Sequence, residues 1–252
     1  MLNYALSTAR WLRAIALTLP VSMTAETRMP DTFTLYSYWR SSAAYRVRIA
    51  LNLKGLDYVI APVHLVRDGG EQHHDDYRAL NPQQLVPTLV DGDKTIIESL
   101  AIIEYLEDAY PDTPRLLPPS ALACARVRAI AQAIACDIHP IGNLRVLQYL
   151  QRELGASDEQ KLAWSRHWIE IGFDAIEAML AAGRTGPFCE GKAPTLADCC
   201  LVPQVYNARR FGVSLDRYPV IESIDATCRK LEAFARAAPE AQADAPGQER
   251  CA

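Results

Sequence analysis

The stretch SSAAYRVRIAL at positions 41–51 decides how the first half of the chain folds. It follows FTLYSY at 33–38, whose aromatic and β-branched residues predict a strand. Apolar residues then recur at 44, 47, 50, 51 and 53, which is the spacing of a helix. Ser41 and Ser42 therefore stand at a strand-to-helix turn, where unpaired N–H groups and the helix dipole stabilise an anion. Serine is also a preferred helix cap, and on these residues alone capping is the better interpretation.

The composition is that of a globular protein with one large or two small domains. Half of the 252 residues are hydrophobic, and the net charge of −4 gives no sign of a nucleic-acid partner. The seven cysteines are irregularly spaced, and the histidines stand at no metal-ligand spacing from them. We therefore predict no metal site, and free, mostly buried thiols in a reducing, cytoplasmic compartment.

The first 30 residues differ in composition from the rest of the chain. Up to position 28 they carry three arginines and one acid, and the apolar run at 14–23 is interrupted by Pro20. The run is too short to span a bilayer, so we predict no membrane segment. A secretory signal, a targeting peptide and a wrongly assigned start codon all fit this composition. We favour a start near Met29 and assign residues 1–30 as a disordered or mis-assigned leader.

Residues 31–113 have the pattern of one mixed sheet with helices on its faces. A second strand is predicted at 58–64, and two more at 86–90 and 94–97 are joined by an Asp-Gly turn, a strong hairpin signal. A helix is predicted at 99–110. The resulting order, βαβ followed by ββα, packs as a single domain.

Beyond this domain the pattern becomes helical. Four prolines between 111 and 119 indicate a linker, and Ala- and Leu-rich segments without strand patterns follow. A second domain is predicted at 120–240, with helices over 121–152, 157–182, 195–209 and 219–237. Thr195 and Asp198 form a capping box at the start of the third of these helices. The tail at 241–252 is polar, and we expect the chain to fray from Pro239.

Two short motifs in the first half carry candidate binding chemistry. Pro87 begins the third strand, where it cannot donate a ladder hydrogen bond. A cis Val86–Pro87 bond would let the Val86 backbone pair with a peptide ligand, and an ordinary edge-strand proline is the alternative. Glu98 and Ser99 open the next helix, which Ser99 caps, and the pair can hold the ammonium and carboxylate of an α-amino acid. Capping alone is the simpler interpretation.

Taken together, these segments resemble a known family. The motifs are YSYWRSS at 36–42 with RVRIAL at 46–51, ALNPQQLVPTL at 79–89, AIIEYL at 101–106 and LVPQVYNA at 201–208. Over about residues 34–239 they resemble the zeta-class glutathione transferases, the maleylacetoacetate isomerase family, which includes maleylpyruvate isomerases. The resemblance implies an α/β plus all-α fold, with a thioredoxin-like domain followed by an all-helical glutathione transferase C-terminal domain. Ala43 replaces the cysteine of the family's Ser-Ser-Cys pattern, and Glu98 stands where many members have glutamine.

The resemblance implies a glutathione-dependent cis–trans isomerase that converts maleylacetoacetate to fumarylacetoacetate in tyrosine breakdown. Reversible addition of the glutathione thiolate makes the double bond single while it rotates. A free thiol with a pKa of about 8.5 is only slightly ionised at neutral pH, so a hydroxyl and a helix N-terminus must favour the anion. Alternatives are a maleylpyruvate isomerase of gentisate breakdown, a general transferase acting on α-halo acids, and a glutathione-binding protein without activity.

The same resemblance assigns site residues. The expected catalytic hydroxyls are those of Ser41 and Ser42. The expected glutathione contacts are Ser41, Ser42, His64, Gln72, Val86, Pro87, Glu98, Ser99, His139 and Asn143. The expected substrate is a small dianionic diketo acid, whose carboxylates would bind Arg40, Arg145 and Arg210. His73, His74 and His167 are interpreted as solvated or structural, and the family implies a homodimer.

Overall fold

A computed structural model describes residues 32–183 and 185–247 of the chain. The leader expected at 1–30, the end of the tail from position 248 and Cys251 lie outside the described residues. No helix within the two described ranges combines the length and the apolar character needed to cross a membrane.

The first half is built around a four-stranded mixed sheet in the order β2-β1-β3-β4. Its elements are β1 Phe33–Ser37, α1 Ser42–Lys54, β2 Tyr58–Pro62, α2 Asp75–Leu80, β3 Thr88–Asp91, β4 Lys94–Ile97 and α3 Ser99–Ala109. β1 pairs with β2 in parallel, and β3 pairs antiparallel with both β1 and β4. This confirms the thioredoxin-like arrangement, with its βαβ unit, hairpin and final helix.

Helix α2 was not predicted. It has only six residues, which is too short for an apolar periodicity to show. Asp75 and Asp76 stand in its first turn, where negative charge complements the helix dipole. Tyr77 is buried, and its hydroxyl donates to the Leu85 carbonyl at 2.6 Å. The helix therefore anchors the loop that leads into β3.

The second half is helical, as predicted, but its helices are more divided. Its elements are α4 Ala121–Gln132, α5 Leu144–Arg152, α6 Asp158–Gly183, α7 Leu196–Arg210, α8 Pro219–Cys228 and α9 Glu232–Ala237. The prediction of one helix over 219–237 was wrong, because the chain leaves the helix after Cys228 and begins another at Glu232.

The prediction of a continuous helix over 121–152 was also wrong. After α4 the chain forms a π-helical turn over Ala133–Ile138 and a 3-10 turn over His139–Gly142. Pro140 has no N–H to continue an α-helix. Asn143 then caps α5, since its side-chain oxygen accepts from the Arg145 N–H at 3.1 Å. The break matters because its residues reach a cleft between the two halves of the protein.

Helix α1 lies between the two halves and is buried along most of its length. It packs against α3 beside the sheet and against α7 and α9 of the helical half. Ser41 caps its start, and Gly55, with a φ of 66°, ends it in the left-handed conformation that glycine adopts at low cost. The turn before α1 is therefore held between both halves of the protein.

The capping box at the start of α7 is confirmed. Asp198 is fully buried, and one of its oxygens accepts from the Thr195 N–H at 2.8 Å and the Thr195 hydroxyl at 2.9 Å. The other accepts from the Cys189 N–H at 2.9 Å. Burial raises the pKa of Asp198, and these hydrogen bonds oppose that change.

The prediction that the chain frays from Pro239 was wrong as far as position 247. Gln242 is buried and donates from its amide to the carbonyls of Arg236 and Ala238. Asp244 accepts a hydrogen bond from the Trp39 N–H at 2.9 Å. A polar composition does not reveal such docking, because the side chains of Gln242 and Asp244 find backbone partners in the folded protein.

The cysteines of the described residues are all free thiols. Four of them are buried, as expected: Cys189, Cys199, Cys200 and Cys228. Cys124 is half-buried, and Cys136 departs from the expectation because it is exposed at the π-helical turn.

Candidate functional site

A cleft of about 610 Å³ lies between the two halves of the protein. A smaller cavity of about 350 Å³ adjoins it. The residues that line both cavities are Gln83, Leu85, Val86, His139, Asn143 and Arg145. Because the walls are shared, we treat the two cavities as one site with a wide compartment and a narrow one.

All the predicted site residues except His64 lie on these walls. Those that line the wide compartment alone are Arg40, Ser41, Ser42, Gln72 and Arg210. Those that line the narrow compartment alone are Pro87, Glu98 and Ser99. Val86, His139, Asn143 and Arg145 line both. Residues far apart in sequence are thus brought together at one place.

The serine turn has the geometry of a helix start. The Ser41 N–H donates to the Tyr38 carbonyl at 2.9 Å, and the Ser41 hydroxyl accepts from the Ala44 N–H at 3.2 Å. A hydroxyl that accepts one bond keeps its proton for another partner. Ser42 is the first residue of α1 and is largely buried. Ser41 therefore both caps α1 and offers a donor to the wide compartment.

The turn that carries Ser41 is braced by a buried arginine on α1. The Arg48 guanidinium donates to the Ser37 hydroxyl, the Trp39 carbonyl and the Ala237 carbonyl, each at 3.0 Å. Ala237 is the last residue of α9. The position of the serine turn therefore depends on contacts from the end of the helical half.

The loop before β3 brings a backbone segment to the cleft. The Val86–Pro87 peptide bond is cis, which was one of the two alternatives that the sequence left open. The preceding Leu85 carbonyl accepts from the Tyr77 hydroxyl at 2.6 Å and from the Asn81 side-chain amide at 2.8 Å. These bonds fix the conformation of the loop.

At the start of α3 the structure corrects one expectation. Glu98, not Ser99, is the capping residue, and Ser99 is the first residue of the helix. Glu98 has a φ of 69°, a conformation that is uncommon and costly for a residue with a side chain. Ser99 is buried, and its hydroxyl accepts from Nη1 of Arg46 at 3.1 Å.

His64 is not among the residues that line the two compartments, and its contact with glutathione stays a prediction. Its Nδ1 accepts from the N–H groups of Val66 at 3.3 Å and Arg67 at 2.8 Å. Its ring packs edge-on against Tyr38, with 5.2 Å between the centroids. These contacts organise the loop after β2.

Sequence reasoning missed His73. We interpreted it as solvated or structural, but it lies on the wall of the wide compartment. Its Nδ1 lies 2.7 Å from Oε1 of Gln84, a residue with a φ of 57° that also lines the compartment. The available signal was its position directly after Gln72, which the resemblance had already assigned to the site.

The wide compartment contains three arginines, Arg40, Arg145 and Arg210. Among the described residues, none forms an ion pair with Arg40, Arg145 or Arg210. Burial and the nearby Arg40 lower the pKa of Arg210. The Arg210 guanidinium stacks over Phe211 at 4.4 Å, which holds it in place. This arrangement favours an anionic ligand.

His139 sits where the two compartments meet. Burial and the charge of Arg46 lower the pKa of His139 to about 3. Its imidazole is therefore neutral near pH 7, and it offers hydrogen bonding without adding charge.

Within residues 32–183 and 185–247, no group of three or more His, Cys, Asp or Glu side chains is placed to hold a metal ion.

Comparison with known proteins identifies the family. The family model described as glutathione S-transferase, N-terminal domain, matches residues 35–114. A probable maleylacetoacetate isomerase of Vibrio cholerae serotype O1 is 55% identical over 211 residues, which are 84% of this chain and 97% of the relative. A solved maleylpyruvate isomerase, described as a bacterial zeta-class glutathione transferase, is 52% identical with a TM-score of 0.81, covering 84% of this chain and 99% of that one. The chain belongs to the zeta-class glutathione transferases.

Another similar solved structure contains a ligand. It is a maleylacetoacetate isomerase from Anaeromyxobacter dehalogenans with glutathione in the active site, 43% identical with a TM-score of 0.76, covering 85% of this chain and 98% of that one. The cleft of the present zeta-class chain fits such a tripeptide. Two helix N-termini carry serines, and Glu98 offers a carboxylate. Gln72 and Arg46 have buried polar atoms that form no hydrogen bond with any described residue.

Proposed function

We propose that this protein is a glutathione-dependent cis–trans isomerase that converts maleylacetoacetate to fumarylacetoacetate. The observation that carries the proposal is the placement of Arg40, Arg145 and Arg210, without counterions among the described residues, in the same compartment as Ser41. A dianionic substrate supplies the charge that these arginines lack. The name of the Vibrio cholerae relative supports the same reaction.

The narrow compartment and the loop before β3 would hold glutathione. Val86 would contribute its backbone, Glu98 would pair with the ammonium group, and Ser99 would receive the adjacent carboxylate. Gln72 and Asn143 would contact the rest of the tripeptide. When bound, glutathione supplies a thiolate that adds reversibly to the cis double bond of the substrate and so permits rotation.

Ser41 is the residue to which we assign activation. Its hydroxyl donates a hydrogen bond to the sulfur and favours the anion over the thiol. The N-terminus of α1 adds a partial positive charge at the same place. Ser42 is a second donor at this turn. Together they lower a thiol pKa that is about 8.5 in free solution.

The arginines bind and orient the substrate. Guanidinium groups recognise carboxylates through two parallel hydrogen bonds, which fixes the substrate as well as attracting it. Arg40 directly precedes the serine turn, Arg145 lies in the first turn of α5, and Arg210 ends α7. His139 is neutral at this junction, so it does not compete with the arginines for the substrate charge.

Maleylpyruvate is the second candidate substrate, since a solved structure 52% identical to this chain is a maleylpyruvate isomerase. The decisive measurement is loss of each compound by ultraviolet absorbance, with and without glutathione, coupled to the matching fumaryl hydrolase. We expect rapid glutathione-dependent turnover of maleylacetoacetate. Turnover of maleylpyruvate alone would reassign the pathway. Turnover of neither, with glutathione still bound, would contradict the isomerase and favour a transferase for α-halo acids.

We also propose that the protein is a cytoplasmic homodimer. The free cysteines suit a reducing compartment, and the family membership supports the dimer. Light scattering coupled to size-exclusion chromatography should give a mass near twice that of the chain. A mass equal to that of one chain at micromolar concentration would contradict the dimer.

A further inference from the structure

Helix α1 carries two buried arginines two residues apart, and they differ in how their charge is satisfied. Arg46 is 2% exposed and Arg48 is fully buried. All three nitrogens of the Arg48 guanidinium donate to protein oxygens. Arg48 is thus a structural residue whose partners are all within the fold.

Arg46 lacks such partners. Its Nη1 donates to the Ser99 hydroxyl, but Nε and Nη2 are buried and form no hydrogen bond with any described residue. No described carboxylate lies within ion-pair distance of it. Burial lowers the pKa of Arg46, and Cys200, Cys136 and, least, Glu98 oppose this. A buried charge without a paired ion is costly, so the free protein is incomplete here.

The location of Arg46 indicates what is missing. The residue lines the narrow compartment together with Glu98 and Ser99, at the N-terminus of α3. A hydroxyl has one proton and two lone pairs. Because the Ser99 oxygen accepts from Arg46, its proton is directed to another acceptor. The three features together (the buried cation, the oriented hydroxyl and the helix N-terminus) fit one carboxylate.

We propose that Arg46 is a positioning residue that directs the Ser99 hydroxyl to the α-carboxylate of the γ-glutamyl group of glutathione and supplies the charge that balances it. This assignment rests on the proposed function, in which glutathione is the cofactor. Glu98 lies beside the pair and suits the ammonium group on the same carbon atom. The narrow compartment therefore has a cation, Arg46, for the carboxylate and an anion, Glu98, for the ammonium group of an α-amino acid.

The test compares two ligands by calorimetry. One is glutathione, and the other is the same tripeptide with γ-aminobutyrate in place of the γ-glutamyl residue, which lacks only the α-carboxylate and keeps an amino group. The wild type should prefer glutathione by about 10- to 100-fold, the range of a charge-assisted hydrogen bond. Arg46→Met should lose most of this preference by weakening glutathione binding, with little change for the analogue. Arg46→Lys should keep part of it.

The melting temperature provides a second readout, because Arg46→Met should weaken glutathione binding without lowering the stability of the free protein. Replacing an uncompensated buried charge with an apolar side chain of similar size is often neutral or stabilising. The melting temperature of ligand-free Arg46→Met should therefore equal or exceed that of the wild type. The matched control Arg48→Met should lower it, because it leaves the oxygens of Ser37, Trp39 and Ala237 without their donor.

A double-variant cycle tests the route through Ser99. Ser99→Ala should reduce the same ligand preference, and the double variant should lose no more than the larger single loss, since the two residues act as one unit. Equal weakening of both ligands by Arg46→Met, or failure of that variant to fold, would overturn the proposal. If the wild type bound no glutathione, the proposed function would fail and this assignment with it.

Discussion

The two walls of the cleft are built in different ways. The wall from the thioredoxin-like half presents helix N-termini, a backbone segment before β3 and short polar side chains at the starts of α1 and α3. The wall from the helical half presents long side chains, with His139 and Arg145 placed by a break between helices and Arg210 at the end of α7. The first wall suits a peptide cofactor, and the second suits a small anion.

This difference indicates that recognition of the cofactor and recognition of the substrate depend on different kinds of groups. We call the wall from the thioredoxin-like half the cofactor wall and the wall from the helical half the helical wall. Backbone groups and helix caps stay in place when other side chains are substituted, so the cofactor wall keeps its binding groups. Side chains of the helical wall change by single substitutions, and the substrate can change with them. Breaking each wall separately should therefore give different kinetic signatures.

The largest effect is expected from the cofactor wall. Ser41→Ala removes the donor assigned to the sulfur, and turnover should fall by about 100- to 1,000-fold, the usual cost of one oriented donor at a developing anion. Glutathione affinity, measured by calorimetry, should change little. Ser157→Ala is a matched control, because the Ser157 hydroxyl caps α6 by the same kind of bond, at 3.2 Å from the Gln160 N–H. Near-normal turnover of Ser41→Ala would remove Ser41 from the mechanism.

The helical wall should show its effect in substrate binding. Arg210→Ala should raise KM for the dianionic substrate by about 10- to 100-fold, because a charge-assisted bond is lost. KM for a neutral electrophile should change far less. Arg217→Ala is the control, since Arg217 stacks over Tyr218 at 5.5 Å in the same manner but pairs with Asp174 away from the cleft. Equal effects of Arg210→Ala on both substrates would show that it has no carboxylate role.

His139, which lies where the two walls meet, should make the stability of the protein depend on pH. The pKa of His139 is near 6.5 in the unfolded chain and about 3 in the folded protein. The unfolded state therefore binds more protons between these values, and stability is lost as the pH falls from about 6.5 towards 3. The slope from this residue is at most about 1.4 kcal/mol per pH unit.

His139→Gln removes that dependence, so its unfolding free energy in urea should fall less than that of the wild type between pH 7 and pH 5. His167→Gln, at an exposed position on α6, serves as the control and should follow the wild type. Identical slopes for His139→Gln and the wild type would mean that the imidazole is not kept neutral by burial.

The local structure of the thioredoxin-like wall was partly predictable from the sequence because its signals are local. The helix cap at 41 and the hairpin at 88–97 each depend on a few neighbouring residues, and the cis bond before Pro87 was one of two alternatives. The capping role of Glu98 was missed because a residue with a side chain rarely adopts its φ of 69°. The buried arginine pair was missed because helical spacing alone does not distinguish a partnered from an unpartnered guanidinium.

The helical wall was less predictable because its placement depends on departures from periodicity. A hydrophobic pattern continues through the π-helical and 3-10 turns over 133–142, so the pattern alone predicts one helix. The docking of Asp244 on Trp39 joins residues separated by most of the chain. No local rule reports such a contact, since it is decided by how the two halves pack.

The smallest expected effect tests whether the break between α4 and α5 positions Arg145 on the helical wall. Asn143→Ala removes the cap of α5 and should lower the unfolding free energy by about 1 kcal/mol. Loss of the cap also loosens the first turn of α5, which carries Arg145, so KM for the dianionic substrate should rise severalfold. Asn143→Asp keeps the cap and should therefore retain the stability of the wild type. Its KM should still rise, because it brings a negative charge to the anion site. Unchanged KM in both variants would mean that Arg145 is held in place by packing rather than by the cap.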